Sequence, residues 1–273
     1  MATAPDPTSS SPAPEPTPNA SPPPPTTVGD IFRQTVALYP KLLVALISVT
    51  LPLALINGLN ELSPMVLGFE DHAVIQILMM LITFIAGAYF WCVAVYQIDH
   101  VYKGSDGETT PWDQGTQKFI PFLITFVIIT ILSTVGIFAC LIPGLLAMFF
   151  LFPAQFLVVL DDYSPLGSLS RSIELVRTNL GHALGFFLTI FAASMGLAMV
   201  LFILLFTTGV ATNFDPDAAQ LMMASIAFPL IIFSYPAAMA LYYLFYRSLL
   251  ALDAQHAEPP SSATDEPPAP QSW

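Results

Sequence analysis

Long uncharged apolar runs alternate with short polar stretches along most of the chain. A helix rises about 1.5 Å per residue and the hydrocarbon core of a bilayer is about 30 Å thick, so about 20 apolar residues cross it once. Four of the five runs have a length that suits one membrane span. The pattern therefore predicts an all-α polytopic membrane protein. The runs cover residues 42–60, 73–98, 119–160, 183–214 and 218–246.

The run 119–160 is long enough for two spans, because its 42 residues would form a helix about 63 Å long. Its strongest helix breaker near the middle is Pro143-Gly144. Proline restricts the residue before it and glycine accepts positive φ, so the pair predicts the turn of a tight helical hairpin. The sequence thus predicts six spans, at about 42–59, 73–98, 119–140, 145–160, 183–209 and 219–246.

The basic residues support this number of spans. With six spans, all seven basic residues fall on one side of the membrane, and the opposite loops, at about 60–72, 141–144 and 210–218, carry none. Five spans would place them on both sides. Lys and Arg are enriched in cytoplasmic loops, so both termini are predicted to be cytoplasmic. The seven are Arg33, Lys41, Lys103, Lys118, Arg171, Arg177 and Arg247.

Both ends of the chain are rich in proline and poor in apolar residues. Residues 1–27 and 254–273 have too little apolar surface to offset the ordering of the chain, so both are predicted to be disordered cytoplasmic tails. Residues 28–253 then form the membrane domain. The first tail lacks the basic and apolar regions of a signal peptide.

Three similar helix starts occur on the predicted cytoplasmic side. Thr27-Val-Gly-Asp30 has the spacing of a helix N-cap with an acid in the first turn, and Thr110-Pro111-Trp112-Asp113 repeats it. Ser164-Pro165 begins a third. Each start precedes a pair of spans, which is compatible with three repeated units of interfacial helix plus hairpin. The alternative is that every return of the chain to the cytoplasm needs a cap and a basic anchor.

The third start opens a predicted amphipathic interfacial helix over about 164–180, ending at Gly181. Arg171, Glu174 and Arg177 leave this helix on a different side from its apolar residues. We expect the apolar face to lie among lipid headgroups, with the two arginines beside phosphates. The alternative is that either arginine pairs with a nearby acid, Glu174, Asp161 or Asp162, and packs under the bundle. The apolar face comprises Leu166, Leu169, Ile173, Val176 and Leu180.

Basic residues near the predicted cytoplasmic surface are the candidate contacts with lipid. The partner predicted for them is the phospholipid bilayer, including anionic lipids. Gly181-xxx-Gly185 also fits close helix packing within the bundle or between copies, so a homo-oligomer or other membrane proteins remain partners to consider. The candidate headgroup contacts are Arg171, Arg177, Lys118, Arg33 and Lys41.

Composition and charge exclude several classes of protein. Residues are 55% hydrophobic and 10% charged, against about 25% charged in an average soluble domain, so a soluble domain is excluded. A net charge of −12 argues against a nucleic-acid partner. Both cysteines, Cys92 and Cys140, lie in apolar runs and are predicted to be small core residues rather than a bridge.

No pattern indicates reactive chemistry. The chain has no nucleophile, phosphate-loop or zinc-protease motif, so we expect neither an enzyme nor a cofactor or metal. No predicted span has a charge in its middle. Neutral polar residues at depth usually hydrogen-bond between helices, although a substrate pathway is the alternative. The residues that would line such a pathway are Asn57, Gln76, Gln97 and Gln155.

One segment resembles a known family. The stretches Leu141-Ile-Pro143-Gly144 to Pro153, Val158-Val-Leu-Asp161-Asp162 and Gly167-Ser-Leu-Ser-Arg171 to Asn179 resemble the YciC-like bacterial inner-membrane proteins. They are more distantly similar to the membrane domain of some glycerophosphodiester phosphodiesterases. The resemblance implies a six-span protein of the bacterial inner membrane without an established activity. We expect a non-enzymatic role in envelope maintenance or as an assembly partner; the alternative is a small transporter or channel.

Overall fold

The computed structural model describes residues 23–67, 73–104, 110–211 and 216–257, and within these ranges the chain is all α-helical. Each helix starts or ends at a capping residue, at a proline or at the edge of a described range. The helices are α1 Val28–Leu67, α2 Ala73–Lys103, α3 Pro111–Ala139, α4 Leu141–Leu151, α5 Ala154–Leu160, α6 Pro165–Thr178, α7 Leu180–Ala211 and α8 Pro216–Ala257.

Five helical segments of the described residues are long and apolar enough to cross a membrane, which indicates a multi-pass membrane protein. These segments are Val28–Asn60, Ala73–Lys103, Pro111–Ala139, Pro143–Leu160 and Leu180–Leu204. The predicted sixth span, 219–246, falls within the long helix α8. The structure does not describe the side chains of part of that span, so the sixth crossing stays a prediction.

Helix α3 and the α4–α5 segment form the predicted hairpin. Near its turn, Gly136 packs against Gly144, and a Cβ added to Gly136 would lie 2.8 Å from the Cα of Gly144. At the other end Lys118 forms an ion pair with Asp162. Both pairs are symmetric about Cys140, and along each arm the two pairs are 18 positions apart, which corresponds to about 27 Å at the rise of a helix. The hairpin therefore has the length of two membrane crossings.

The position of the turn differs from the prediction. The chain reverses at Cys140, which has extended backbone at φ −172° and ψ 140°, and not at Pro143-Gly144. Pro143 lies in the first turn of α4, where its missing N–H removes no helical hydrogen bond. Gly144 is helical, and its role is close packing: a Cβ there would lie 2.5 Å from the backbone nitrogen of Ile137. Cys140 itself is exposed, whereas Cys92 is buried, so the prediction of two core cysteines is wrong for Cys140.

All three predicted helix starts have the expected caps. The hydroxyl of Thr27 accepts a hydrogen bond from the backbone N–H of Asp30 (3.1 Å), and that of Thr110 accepts one from Asp113 (3.2 Å). Ser164 caps α6 in the same way through the N–H of Gly167 (3.2 Å). The first two starts continue without a break into the apolar parts of α1 and α3, so only the third forms a separate helix.

Helix α6 ends earlier than predicted. It stops at Thr178, and Asn179 caps it with φ −113°. The next helix begins at Leu180, so the expected terminator Gly181 lies inside the first turn of α7. The asparagine side chain donates to the carbonyl of Leu175 (3.1 Å). Asparagine hydrogen-bonds readily to nearby backbone, which favours helix ends.

The core lies where the ends of several helices meet. The largest fully buried side chains include Phe122 of α3, Phe156 of α5, Leu175 of α6 and Tyr243 and Tyr246 of α8. We call this part of the bundle the basic end, because four basic residues described below, Lys103, Lys118, Arg171 and Arg247, make their contacts here.

Candidate lipid-contact site at the basic end

Two tyrosine–carboxylate contacts fix the last part of α8 at the basic end. The hydroxyl of Tyr243 donates to Asp99 of α2 (2.7 Å), and that of Tyr246 donates to Asp161 after α5. Asp99 also pairs with Lys103 (2.7 Å). Both tyrosine rings are fully buried. Each buried ring thus ends in a charge-assisted hydrogen bond at the border of the core.

Each residue of the acidic pair Asp161-Asp162 has a different role. Asp161 accepts the Tyr246 bond. Asp162 has a left-handed backbone, φ 58°, and pairs with Lys118 of α3. Aspartate is one of the few side chains that tolerates this conformation. The pair therefore ends α5 and joins it to α3 and α8.

Arg171 faces the protein. Its guanidinium donates to Glu174 (2.9 Å) and to Asp253 of α8 (2.5 Å). The hydrogen bond with Glu174 raises the pKa of Arg171, with Asp253 adding to the effect and burial opposing it. This arrangement corresponds to the alternative in which an arginine of α6 pairs with an acid under the bundle. Lys118 is likewise committed to an ion pair with Asp162.

Arg177 faces away from the protein. It is exposed and forms no ion pair with any residue that the structure describes. Next to it around the helix runs an uncovered apolar edge, formed by Leu166 (70% exposed) and Ile173 (44%), and Leu180 (47%) follows at the start of α7. One exposed arginine beside an exposed apolar edge is the arrangement expected for a helix lying at a membrane surface.

The opposite face of α6 packs on the bundle through small and apolar residues. Ser168, Ser172 and Leu175 have no exposed surface. The Ser172 hydroxyl donates to the carbonyl of Phe150 on α4 (2.7 Å). Because serines form much of the buried face, the apolar pattern by itself does not identify it. Val176 is the fully buried member of the predicted apolar face.

The remaining two candidates lie on α1, apart from α6. Arg33 is within 3.4 Å of Asp30, one turn earlier on the same exposed helix surface. Lys41 is exposed. Two residues before it, Tyr39 donates to the carbonyl of Phe233 in the middle of α8 (3.0 Å).

Sequence reasoning missed the partners supplied by α8. Asp253, Tyr243 and Tyr246 were not candidates, and neither was Arg247, whose guanidinium lies 5.8 Å from the centre of the Tyr102 ring. One signal was present. Aromatic residues and an arginine recur three and four positions apart in Tyr242-Tyr243-Leu244-Phe245-Tyr246-Arg247, as expected for one helix face that contacts a polar surface.

The polar residues considered for a substrate pathway do not line one path. Gln97 and Gln155 are each 7% exposed. Asn57 donates to the carbonyl of Leu53 in its own helix (2.8 Å), and Gln76 is exposed on α2. Two of the four therefore face the interior, whereas the other two serve their own helix or the outer surface.

A family comparison covers most of the chain. The profile of a domain of unknown function, DUF7847, matches residues 73–249. The chain belongs to the DUF7847 family. The match begins at the first residue of α2 and ends within α8, so it includes α6, the acidic pair and the tyrosines of the basic end. Comparison with curated proteins gives no match, and comparison with solved structures gives none either.

Proposed function

We propose that this DUF7847 protein is a non-enzymatic protein of the bacterial inner membrane that holds anionic lipid headgroups at its basic end and serves envelope maintenance or membrane-protein assembly. The observation that carries the proposal is the position of Arg177 beside the exposed apolar edge of α6. An interfacial helix binds a membrane through burial of apolar surface and through attraction to phosphate. The apolar edge of α6 provides the first contribution, and Arg177 provides the second. The resemblance to the YciC-like proteins supports the choice of membrane.

We further propose six spans, with α8 as the sixth and both termini in the cytoplasm. Three observations support this. The α3 to α5 hairpin has the length of two crossings, the described part of α8 is helical throughout, and four of the seven basic residues make contacts at one end of the bundle. The other three basic residues are exposed: Arg33 and Lys41 lie on α1 and Arg177 lies on α6.

The native cysteines offer a direct test of this topology. Cys140 lies exposed at the turn of the hairpin and Cys92 is buried, so a membrane-impermeant maleimide should label wild-type spheroplasts at Cys140 alone. The matched variant carries Cys140→Ser and Thr178→Cys, which moves the only exposed thiol to the end of α6. It should be labelled only after lysis. Labelling of the Thr178→Cys variant in intact spheroplasts would reverse the proposed orientation.

Lipid selectivity tests the role of Arg177. The full-length protein is purified into nanodiscs made from equal amounts of phosphatidylglycerol and phosphatidylcholine, and the lipid retained after detergent exchange is measured. One basic residue near an anionic surface contributes about 1 kcal/mol, so Arg177→Gln should reduce the preference for phosphatidylglycerol about fivefold. High salt should reduce the wild-type preference in the same direction.

Arg171→Gln is the matched control on the same helix. Because Arg171 is bound by Glu174 and Asp253, its loss should lower thermal stability while leaving most of the lipid preference intact. A result in which Arg171→Gln removes the preference and Arg177→Gln preserves it would contradict the proposed site.

The alternative function, a small transporter or channel, has one observation in its favour. The Oε1 atoms of Gln97 and Gln155 are buried, and neither has a hydrogen-bond partner in the part of the chain that the structure describes. However, Asn57 and Gln76 do not extend these two into a path. The distribution of polar groups therefore supports the lipid-contact proposal over transport.

A further inference from the structure

An aromatic group inside the bundle contains polar atoms that have no hydrogen-bond partner among the described residues. Trp91 of α2 lies against two tyrosines of α8, with ring centroids 6.3 Å from both Tyr235 and Tyr242. The indole nitrogen of Trp91 and the hydroxyl of Tyr235 are both buried, and neither has a hydrogen-bond partner among the described residues.

Gln155 approaches the same aromatic group from α5. It lies one helical turn from Phe152, whose ring centroid is 4.6 Å from that of Tyr242. It also lies one turn from Val159, whose carbonyl accepts a hydrogen bond from Tyr96 of α2 (2.6 Å). Residues three positions apart share a helix face, so Gln155 lies on the side that packs on α8 through Phe152, and the Tyr96 bond holds α2 beside the same helix. The Oε1 of Gln155 is buried and has no hydrogen-bond partner among the described residues.

The three unpartnered atoms have complementary chemistry. An indole N–H only donates, an amide oxygen only accepts, and a tyrosine hydroxyl does both. A group that satisfies Trp91 and Gln155 together must therefore accept one hydrogen bond and donate another. A hydroxyl does this with one oxygen atom. The group is neutral, because a charge buried here without a counter-ion would carry a large desolvation cost.

We propose that Trp91, Tyr235 and Gln155 form a binding site for one neutral hydroxyl group between α2, α5 and α8. The hydroxyl comes from a water molecule or from an alcohol, such as the free hydroxyl of a neutral lipid. Buried polar atoms in proteins are nearly always hydrogen-bonded, to ordered water where no protein group reaches them. The site is separate from the proposed headgroup contact at Arg177, so either one can fail without the other.

Tryptophan fluorescence of the full chain tests this site. The protein has three tryptophans, and Trp112→Phe with Trp273→Phe leaves Trp91 as the only one. In phosphatidylcholine vesicles that also contain diacylglycerol, Trp91 should emit at the longer wavelength of a hydrogen-bonded indole. Tyr235→Phe and Gln155→Leu should each shift this emission to shorter wavelength, because each removes one partner of the hydroxyl.

Tyr242→Phe is the matched control. Its ring is as close to Trp91 as that of Tyr235, but its hydroxyl is not among the buried unpartnered atoms. The control should therefore leave the emission unchanged. An equal shift in Tyr242→Phe and Tyr235→Phe would mean that the emission of Trp91 reports general packing around the indole, and would overturn the proposal.

Vesicle composition and solvent distinguish the two sources of the hydroxyl. If the group is water, the long-wavelength emission appears in phosphatidylcholine alone, and its intensity rises on transfer to D2O. If the group is a lipid hydroxyl, the long-wavelength emission appears only when diacylglycerol is added. Short-wavelength emission under both conditions, insensitive to D2O, would overturn the proposal without the need for any variant at the site.

Discussion

The two ends of α7 show how differently the two regions of this molecule are held. Near its start, Phe186 is 4% exposed and stacks on Phe245 of α8 with ring centroids 4.1 Å apart. His182 nearby shares a hydrogen bond with Ser248 (2.9 Å). Further along the same helix Phe202 is 68% exposed, and no residue in the most apolar stretch of α7 is buried by protein.

The comparison extends to the rest of the bundle. At the basic end, buried rings and charge-assisted hydrogen bonds join helices that are distant in sequence. Around the middle of α7, side chains such as Met199, Phe202 and Ile203 are exposed. In a membrane these residues would contact lipid tails, which are as apolar as the side chains themselves. Protein contacts therefore determine the structure of the basic end, whereas helix-internal hydrogen bonds are sufficient elsewhere.

The largest expected effect compares two phenylalanines of α7. Phe186→Ala should lower the free energy of unfolding by about 3–5 kcal/mol, because it empties a packed site against Phe245. Phe202→Ala should change it by about 0.5 kcal/mol or less, as for a surface position. Denaturant unfolding in mixed micelles measures both. Similar losses for the two variants would show that the outer part of α7 is packed against something beyond the described chain.

A smaller effect is expected at the hairpin turn. Gly144→Ala places a Cβ 2.5 Å from the backbone nitrogen of Ile137, so α4 must move away from α3. We expect a loss of about 1–3 kcal/mol. Gly196→Ala in the middle of α7 is the control, because nothing lies within 4 Å of its added Cβ. There, better helix propensity should stabilise by up to about 1 kcal/mol. Thermal melts that leave Gly144→Ala unchanged would mean that the two arms are not in close contact.

The smallest effect concerns the bond between Tyr246 and Asp161. Tyr246→Phe keeps the buried ring and removes a charge-assisted hydrogen bond, which should cost about 1.5–3 kcal/mol in a fully protected site and less here, because Asp161 is exposed. Tyr163→Phe, at a tyrosine that is 39% exposed, should be neutral. Equal melting temperatures for both variants and wild type would show that the Tyr246–Asp161 hydrogen bond does not stabilise the basic end.

Local sequence patterns predicted the helical elements well. The caps at Thr27, Thr110 and Ser164 are confirmed because an N-cap depends on residues only three positions apart. The hairpin within 119–160 is also present. Its turn was misplaced because a Pro-Gly pair was expected to break the helix, whereas both residues fit the first turn of α4 and Cys140 supplies the extended backbone.

The roles of the two arginines of α6 could not be read from the sequence in the same way. The two arginines lie six positions apart on the same helix. Arg171 is turned towards Asp253, 82 positions later in the chain, whereas Arg177 faces outward. The choice between an ion pair and a lipid contact depended on where the end of α8 lies, and no local pattern contains that information.

The sequence by itself determined the class of protein and its helices, because hydrophobic length and capping act within a few residues. Only the tertiary structure decided which residues meet at the basic end. Tyr243 reaches Asp99 across 144 positions and Tyr246 reaches Asp161 across 85. Such contacts depend on how whole helices pack, and the packing of α8 on α2 and α5 is the sum of many small apolar contacts. For that reason the separation of a protein-packed end from a lipid-covered remainder emerges only when the helices are assembled.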